Sequence, residues 1–220
     1  MVTITLNLKT MGLFSKKKTT EARLAVADMP SLFMNDDSEG NHGKETMLDY
    51  QLSYLLRIAN TYEYGEELAK RVLMKLIEES PSYIQGFIEN LRIEDVKVWK
   101  QWQRIDLIAE VEADCGSGME THVIVIENKA YTYIHDDQLS RYSEIVEDYY
   151  KDKDVLIHYW VISFFDNESE EYAAIVNQCK DAKGRWKCIS FDELVDLTEQ
   201  ERRIGTLNTI LDEFWIKKWY

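Results

Sequence analysis

The chain has 220 residues, 40 of them acidic and 26 basic, for a formal charge of −14. This length supports one full hydrophobic core, and 45% apolar with 30% charged residues excludes collagen-like or wholly disordered chains. The acid surplus excludes a protein that grips nucleic acid through a broad basic face, but allows a local basic cleft or a metal site that bridges carboxylates to phosphates.

In chain order, Val2, Ile4, Leu6 and Leu8 alternate with polar residues as in a short strand. Residues 15–45 lose periodicity and read as a loop-rich segment with a basic run, Lys16–Lys18. The opening stretch, with its lysines after the apolar residues, is a poor signal peptide. No segment approaches the ~18 apolar residues of a membrane span. Leu48, Leu52, Leu55 and Leu56 predict a helix over Glu45–Ala59, and Leu68, Val72, Leu73, Leu76 and Ile77 a second over Glu66–Glu79. A short helix through Tyr83–Asn90 follows.

The period then changes. Val96–Lys100, Ile105–Val111 and Thr121–Lys129 read as strands, the last two joined by a hairpin through Asp114–Gly118. The run Val123–Ile126 is apolar on both faces, as in the middle of a covered sheet. A helix over Asp136–Tyr150, with Gln138, Tyr142, Ile145 and Tyr149 along one stripe, leads to strands at Val155–Phe165 and Trp186–Phe191. A closing helix spans Ile204–Trp215, and its Leu207, Ile210, Leu211 and Phe214 are placed to cover the sheet. The expected architecture is α/β: one domain over 1–220, a mixed central β-sheet flanked by helices. Three cysteines without CxxC spacing, Cys115, Cys179 and Cys188, argue against disulfides or structural zinc and fit the cytoplasm.

Strand alternation sets Asp106 on one face of its strand, and Glu127 and Lys129 on one face of the next. Charges after four apolar strand residues are costly unless paired or metal-bound. Two carboxylates can hold a hard cation such as Mg²⁺ against a phosphate, and an ammonium can act on the attacking water. The alternative from spacing alone is a structural pair, Glu127 with Lys129, and Asp106 with Arg104 or Arg141.

The stretches Gln103-Arg104-Ile105-Asp106-Leu107-Ile108, Val125-Ile126-Glu127-Asn128-Lys129 and Asp137-Gln138-Leu139-Ser140-Arg141-Tyr142 together resemble the PD-(D/E)xK nuclease superfamily. The resemblance is specific over the motif-bearing core, residues 103–142. It implies a restriction-endonuclease-like core, with Asp106 and Glu127 coordinating the metal, Lys129 acting on the water, and Gln138 touching that water, the lysine or the substrate backbone. It also implies an additional acidic residue on an early helix, either Glu45 or Glu67; Thr46 and Met47 stand where relatives carry a His-Ser pair.

The implied activity is Mg²⁺-dependent phosphodiester hydrolysis, with Mn²⁺ as substitute, by an endonuclease acting on DNA. Lys97, Lys100 and Arg104, from the locally basic stretch 91–104, and Arg141 are candidates for a phosphate-binding rim; Tyr142, a motif position, and His135, at the cleft mouth, complete the substrate-binding candidates. Tyr131 and Tyr133 either stack on bases or pack beneath the following helix. The alternative function is a catalytically silent nuclease fold that binds a protein or regulates through nucleic acid. Phe214–Tyr220 and Tyr149–Tyr150 serve either a homodimer or protein-partner interface or core packing.

Overall fold

A computed structural model describes residues 44–61, 64–77, 91–114 and 118–217. The expected strand at residues 2–8, all but the last two residues of the 15–45 segment, and the expected helix at 83–90 lie outside them. Helix α1 spans Lys44–Arg57 and continues as a 3-10 turn over Ile58–Asn60; α2 spans Glu66–Ile77. Their leucines at three- and four-residue spacing are buried, so each helix lays one apolar stripe on the sheet.

The sheet contains β1 (Arg92–Trp102), β2 (Ile105–Asp114), β3 (Met119–Lys129), β4 (Leu156–Ser163) and β5 (Lys187–Ser190), in that spatial order. β1–β2 and β2–β3 pair antiparallel, whereas β3–β4 and β4–β5 pair parallel. Parallel pairing requires a crossover, and two helices supply it: α3 (Gln138–Tyr150) and α4 (Glu170–Asp181). Leu139, Tyr142, Val146, Ile175 and Cys179 from these helices pack with Val123, Val125 and Val161 on one face. On the other face α1, α2 and the C-terminal elements pack over Leu107, Ile124, Ile126 and Ile162. β3 is therefore covered on both sides, as its unbroken apolar run requires. Among the described residues no helix is long and apolar enough to cross a membrane.

Three expectations are corrected. Helix α4 was not expected; its apolar stripe of Tyr172, Ile175, Val176 and Cys179 is short and buries only Ile175 and Cys179, and its N-cap is Ser169, whose side chain accepts from Tyr172 N. The buried stripe of α3 is Leu139, Tyr142, Ser143, Val146 and Tyr150, shifted by one residue from the expected one, and Tyr149 faces solvent. No single helix runs over Ile204–Trp215: α5 (Phe191–Val195) and α6 (Glu199–Ile204) precede a break at Gly205–Asn208. A short α7 (Thr209–Leu211) then runs into a π-turn over Asp212–Ile216. Leu207 and Ile210 are exposed as a result, while Leu211, Phe214 and Trp215 are buried. The aromatic residues Phe214 and Trp215 thus serve the core rather than an outer interface.

Candidate active site

The β2–β3 ladder pairs Leu107 with Ile126, and one further step of that register sets Asp106 beside Glu127. Alternation turns both, with Lys129, toward α3. Glu127 and Lys129 are only 3% and 5% exposed. Lys129 Nζ donates to Glu127 Oε1 at 2.7 Å, and Gln138 Nε2, in the first turn of α3, donates to the same oxygen at 2.7 Å. Gln138 Nε2 also donates to Tyr142 Oη at 3.1 Å, and Tyr142 Oη donates to the Arg104 carbonyl at 2.8 Å. One carboxylate oxygen of Glu127 therefore receives two donors. The other, Oε2, is buried with no hydrogen-bond partner.

Asp106 is held by both oxygens: Oδ1 accepts from Gln101 Nε2 at 2.8 Å and Oδ2 from Asn128 N at 2.9 Å. The two-residue turn between β1 and β2 makes this possible. Gln101, Gln103 and Arg104 adopt positive φ values of 57°, 52° and 72°, which returns the Gln101 amide onto Asp106 and turns the Arg104 carbonyl toward α3. Arg104 at a left-handed φ is a costly choice for a side chain with a Cβ, of a kind that gathers at functional sites.

Burial pushes the Glu127 carboxyl up to about 7; repulsion from Asp106 adds to this, and Lys129 and Gln138 pull it back. Burial likewise raises Asp106, against the Asn128 and Gln101 hydrogen bonds and the charge of Lys129. Two carboxyls that resist ionisation side by side, with an orphaned buried oxygen, form a donor set that suits a cation. Among the described residues no group of three or more His, Cys, Asp or Glu side chains is placed to hold a metal ion. A hard divalent cation that takes one or two carboxylates and completes its shell with other oxygen ligands fits such a site.

Helix α1 braces the site from the opposite face. Glu45 Oε1 accepts from Ala130 N at 3.0 Å and Thr132 Oγ1 at 2.5 Å, fixing the chain as it leaves β3. One turn later, buried Asp49 accepts from Asn128 Nδ2 at 2.7 Å and pairs with Lys100 Nζ at 3.1 Å. Of the two early-helix acids, Glu45 reaches the site's strand end; Glu67 is exposed on α2.

Among the substrate-binding candidates, Arg104 is exposed in the turn before Asp106, while Lys100, whose ladder partner is Leu107, points to the α1 side of the sheet, where it pairs with Asp49. Arg141 is exposed with its guanidinium 5.5 Å from the Tyr142 ring centroid. His135 is exposed at the start of α3 and its carbonyl accepts from Gln138 N. Lys97 lies apart: it pairs with Asp95 at 2.6 Å, and its ladder partner is Glu110, well down β2 from Asp106. Neither arginine is the bonded partner of Asp106; two amide donors take that place. Sequence reasoning missed Asp49, Asn128 and Gln101. The readable signal for Asp49 was an acid set among Leu48 and Leu52 on the apolar stripe, four residues after Glu45.

A mixed sheet that sets an aspartate beside a Glu-x-Lys triplet at a strand end, with a glutamine returning from the next helix, defines the restriction-endonuclease-like class. The profile of the PD-(D/E)XK nuclease superfamily matches residues 31–219, and the chain belongs to that superfamily. One solved structure, MspJI restriction endonuclease in complex with a 27-mer oligonucleotide, aligns at 13% identity and a TM-score of 0.32. That alignment covers 87% of this chain and 37% of the other, so the chain spans little more than a third of that relative's length. No curated protein matches the sequence.

Proposed function

We propose that the chain is a Mg²⁺-dependent nuclease, acting on DNA as an endonuclease, with Mn²⁺ able to substitute. The observation that carries this reading is the buried, unpartnered Glu127 Oε2 in a site shared with Asp106 and the Lys129 ammonium. Asp106 and Glu127 would hold the cation, which when bound supplies Lewis-acid stabilisation of charge building on the phosphate. Glu45 would serve as a brace behind it.

Lys129 gives one ammonium hydrogen to Glu127 Oε1, leaving two for an attacking water and a phosphate oxygen. The attack is in line, and the ammonium is already in place as negative charge grows, so no reorganisation is needed at that moment. Gln138 holds Glu127 in its rotamer, and Tyr142 ties Gln138 to the Arg104 carbonyl, which keeps α3 and the hairpin turn at a fixed distance. Arg104 supplies a cationic contact to phosphates at the β1–β2 turn and Arg141 another at the mouth of α3, where His135 can donate a hydrogen bond; Lys100, held by Asp49 on the α1 side, does not face them. Lys97 meets only more distant phosphates. Free thiols at Cys179 and Cys188 suit the cytoplasm as the setting.

The test is cleavage of supercoiled plasmid, linear duplex, single-stranded DNA and RNA in Mg²⁺, Mn²⁺ or EDTA, alongside Lys129→Ala and Asp106→Ala proteins. Metal-dependent cutting lost in both variants supports the reading and names the polymer. Equal traces from all three proteins, with no metal binding by the wild type, would leave a catalytically silent binding module in its place.

A further inference from the structure

Directly after Lys129 the chain runs along the rim of the site as Ala130–His135, and its burial alternates. Ala130 and Ile134 are buried, whereas Tyr131 and Tyr133 are 48% and 49% exposed and His135 is exposed as well. The inward positions are fastened. Glu45 Oε1 receives Ala130 N and Thr132 Oγ1, and the Ile134 carbonyl accepts from Gln178 Nε2 at 3.1 Å. The two tyrosines therefore stand on either side of a residue held by the same α1 glutamate that braces the carboxylate site. They do not pack beneath α3.

Their backs are supported by other rings. Tyr131 meets Phe164 and Phe165 edge-on at 5.9 and 5.6 Å, and Tyr133 lies 5.8 Å from Phe165. Tyr131 also adopts φ 63°, an unusual conformation for a bulky side chain and one that persists only where the surroundings enforce it. An aromatic pair that is rigid, backed and half open to solvent offers ring surface at little further entropy cost on binding.

Charge decides what that surface suits. Asp136 and Asp137 follow the segment directly, and Asp192 acts electrostatically on Tyr131. Directly beside the rings these carboxylates disfavour a phosphate but not an uncharged base, so the phosphates of a bound strand fall to Arg104 and Arg141 on either side. With a chain charge of −14, affinity for a nucleic acid cannot rest on counterion release over a broad face. Stacking on aromatic rings supplies affinity without charge and asks only for a free base face. Bases within a duplex have both faces covered by their neighbours, whereas unpaired bases do not.

We infer that Tyr131 and Tyr133 form a stacking strip for unpaired nucleobases flanking the scissile phosphate, so that the substrate class is single-stranded or frayed nucleic acid. This rests on the nuclease reading above and narrows it. The strand enters over Arg104 at the β1–β2 turn, crosses Asp106, Glu127 and Lys129, and leaves over the tyrosines.

The test uses the full chain carrying Lys129→Ala, with Mn²⁺ present, and a fluorescein-labelled 12-nucleotide oligothymidylate against a blunt duplex of equal length. The parent protein should bind the single strand about tenfold or more tightly than the duplex. Tyr131→Ala and Tyr133→Ala should each weaken single-strand binding by roughly fivefold to a hundredfold and leave duplex binding unchanged. Tyr131→Phe and Tyr133→Phe, which keep the ring, should stay within about twofold of the parent, and circular dichroism should confirm that all five proteins are folded. Equal losses on duplex and single strand, equal losses in the Phe and Ala variants, or alanine variants that bind as the parent does would each overturn the strip. The parent reading fails separately, if cleavage by the wild type does not depend on metal or on Lys129; ring-dependent single-strand binding in such a protein would uphold the strip alone.

Discussion

Asp49 Oδ1 accepts the side-chain amide of Asn128 at 2.7 Å, so the residue between Glu127 and Lys129 is tied to helix α1. The backbone N–H of Asn128 meanwhile donates to Asp106 at 2.9 Å. One asparagine links a buried acid on one side of the sheet to a proposed metal ligand on the other.

That acid gives the first prediction. Burial, then repulsion from Asp106, pushes the Asp49 carboxyl up to about 6 from 3.8. An acid whose folded-state pKa is raised stabilises the fold where it is protonated, and that contribution is lost as pH rises from its unfolded value through about 6. Asp49→Asn keeps the amide contact and removes the titration. Relative to wild type it should gain on the order of 2–3 kcal/mol between about pH 4 and pH 7.5. Urea denaturation of both proteins in EDTA checks this; a difference that does not change with pH would refute it.

Metal occupancy should be visible without turnover. At about one hundred times its Kd, a ligand specific for the folded state stabilises by ~2.7 kcal/mol, which raises Tm by roughly 5–10 °C for a chain of this size. Thermal melts with Mn²⁺ should show such a rise in wild type and none in Asp106→Asn or Glu127→Gln. An equal rise in all three would place the ion elsewhere.

The Gln138–Tyr142–Arg104 relay predicts separable effects. Tyr142→Phe leaves the Arg104 carbonyl without its donor and frees Gln138 to drift, so kcat should fall about tenfold while Mn²⁺ affinity is kept. Gln138→Ala removes a donor from Glu127 itself and should cost roughly a hundredfold. Single-turnover kinetics beside calorimetric metal titration distinguish these; equal loss of metal binding in both would contradict the relay.

A structural control lies at Gly184, which has φ 89° and no room for a side chain: a Cβ there would stand 2.2 Å from Ser143 Oγ. That hydroxyl accepts from Trp186 Nε1 at 2.8 Å. Gly184→Ala should destabilise by about 2–4 kcal/mol and leave Mn²⁺ affinity unchanged. A loss of metal binding in protein shown to be folded would mean that the two regions are coupled.

The elements that sequence reasoning read well are those with a strong apolar period: the leucine stripes of α1 and α2 and the Val123–Ile126 run. Asp106, Glu127, Lys129 and Gln138 stand out in the sequence through their resemblance to the superfamily's motifs; from spacing alone Glu127 and Lys129 read equally as a structural pair. Helix α4 was not legible, although Tyr172, Ile175, Val176 and Cys179 fall at helical spacing after Ser169, because the stripe is short and buries only Ile175 and Cys179. The C-terminal helix failed at Gly205–Asn208, where the caps of α6 and α7 interrupt an apolar pattern that looks continuous. Asp49, Asn128 and Gln101 were invisible for a different reason: their value lies in contacts 79, 22 and 5 residues away along the chain, and only pairing across the sheet reveals them.

Residues 127–129 sit on a strand whose side chains alternate between the proposed site and the α1 side. In a saturation library of these three codons, the outer two should fail in cutting with nearly every substitution, and in soluble yield chiefly with those that leave the buried partner charge unpaired. The middle codon should show the reverse order of sensitivity, failing first in yield. Three adjacent letters would then report on two different properties, and a screen that reads only one of them would misjudge either the flanks or the centre.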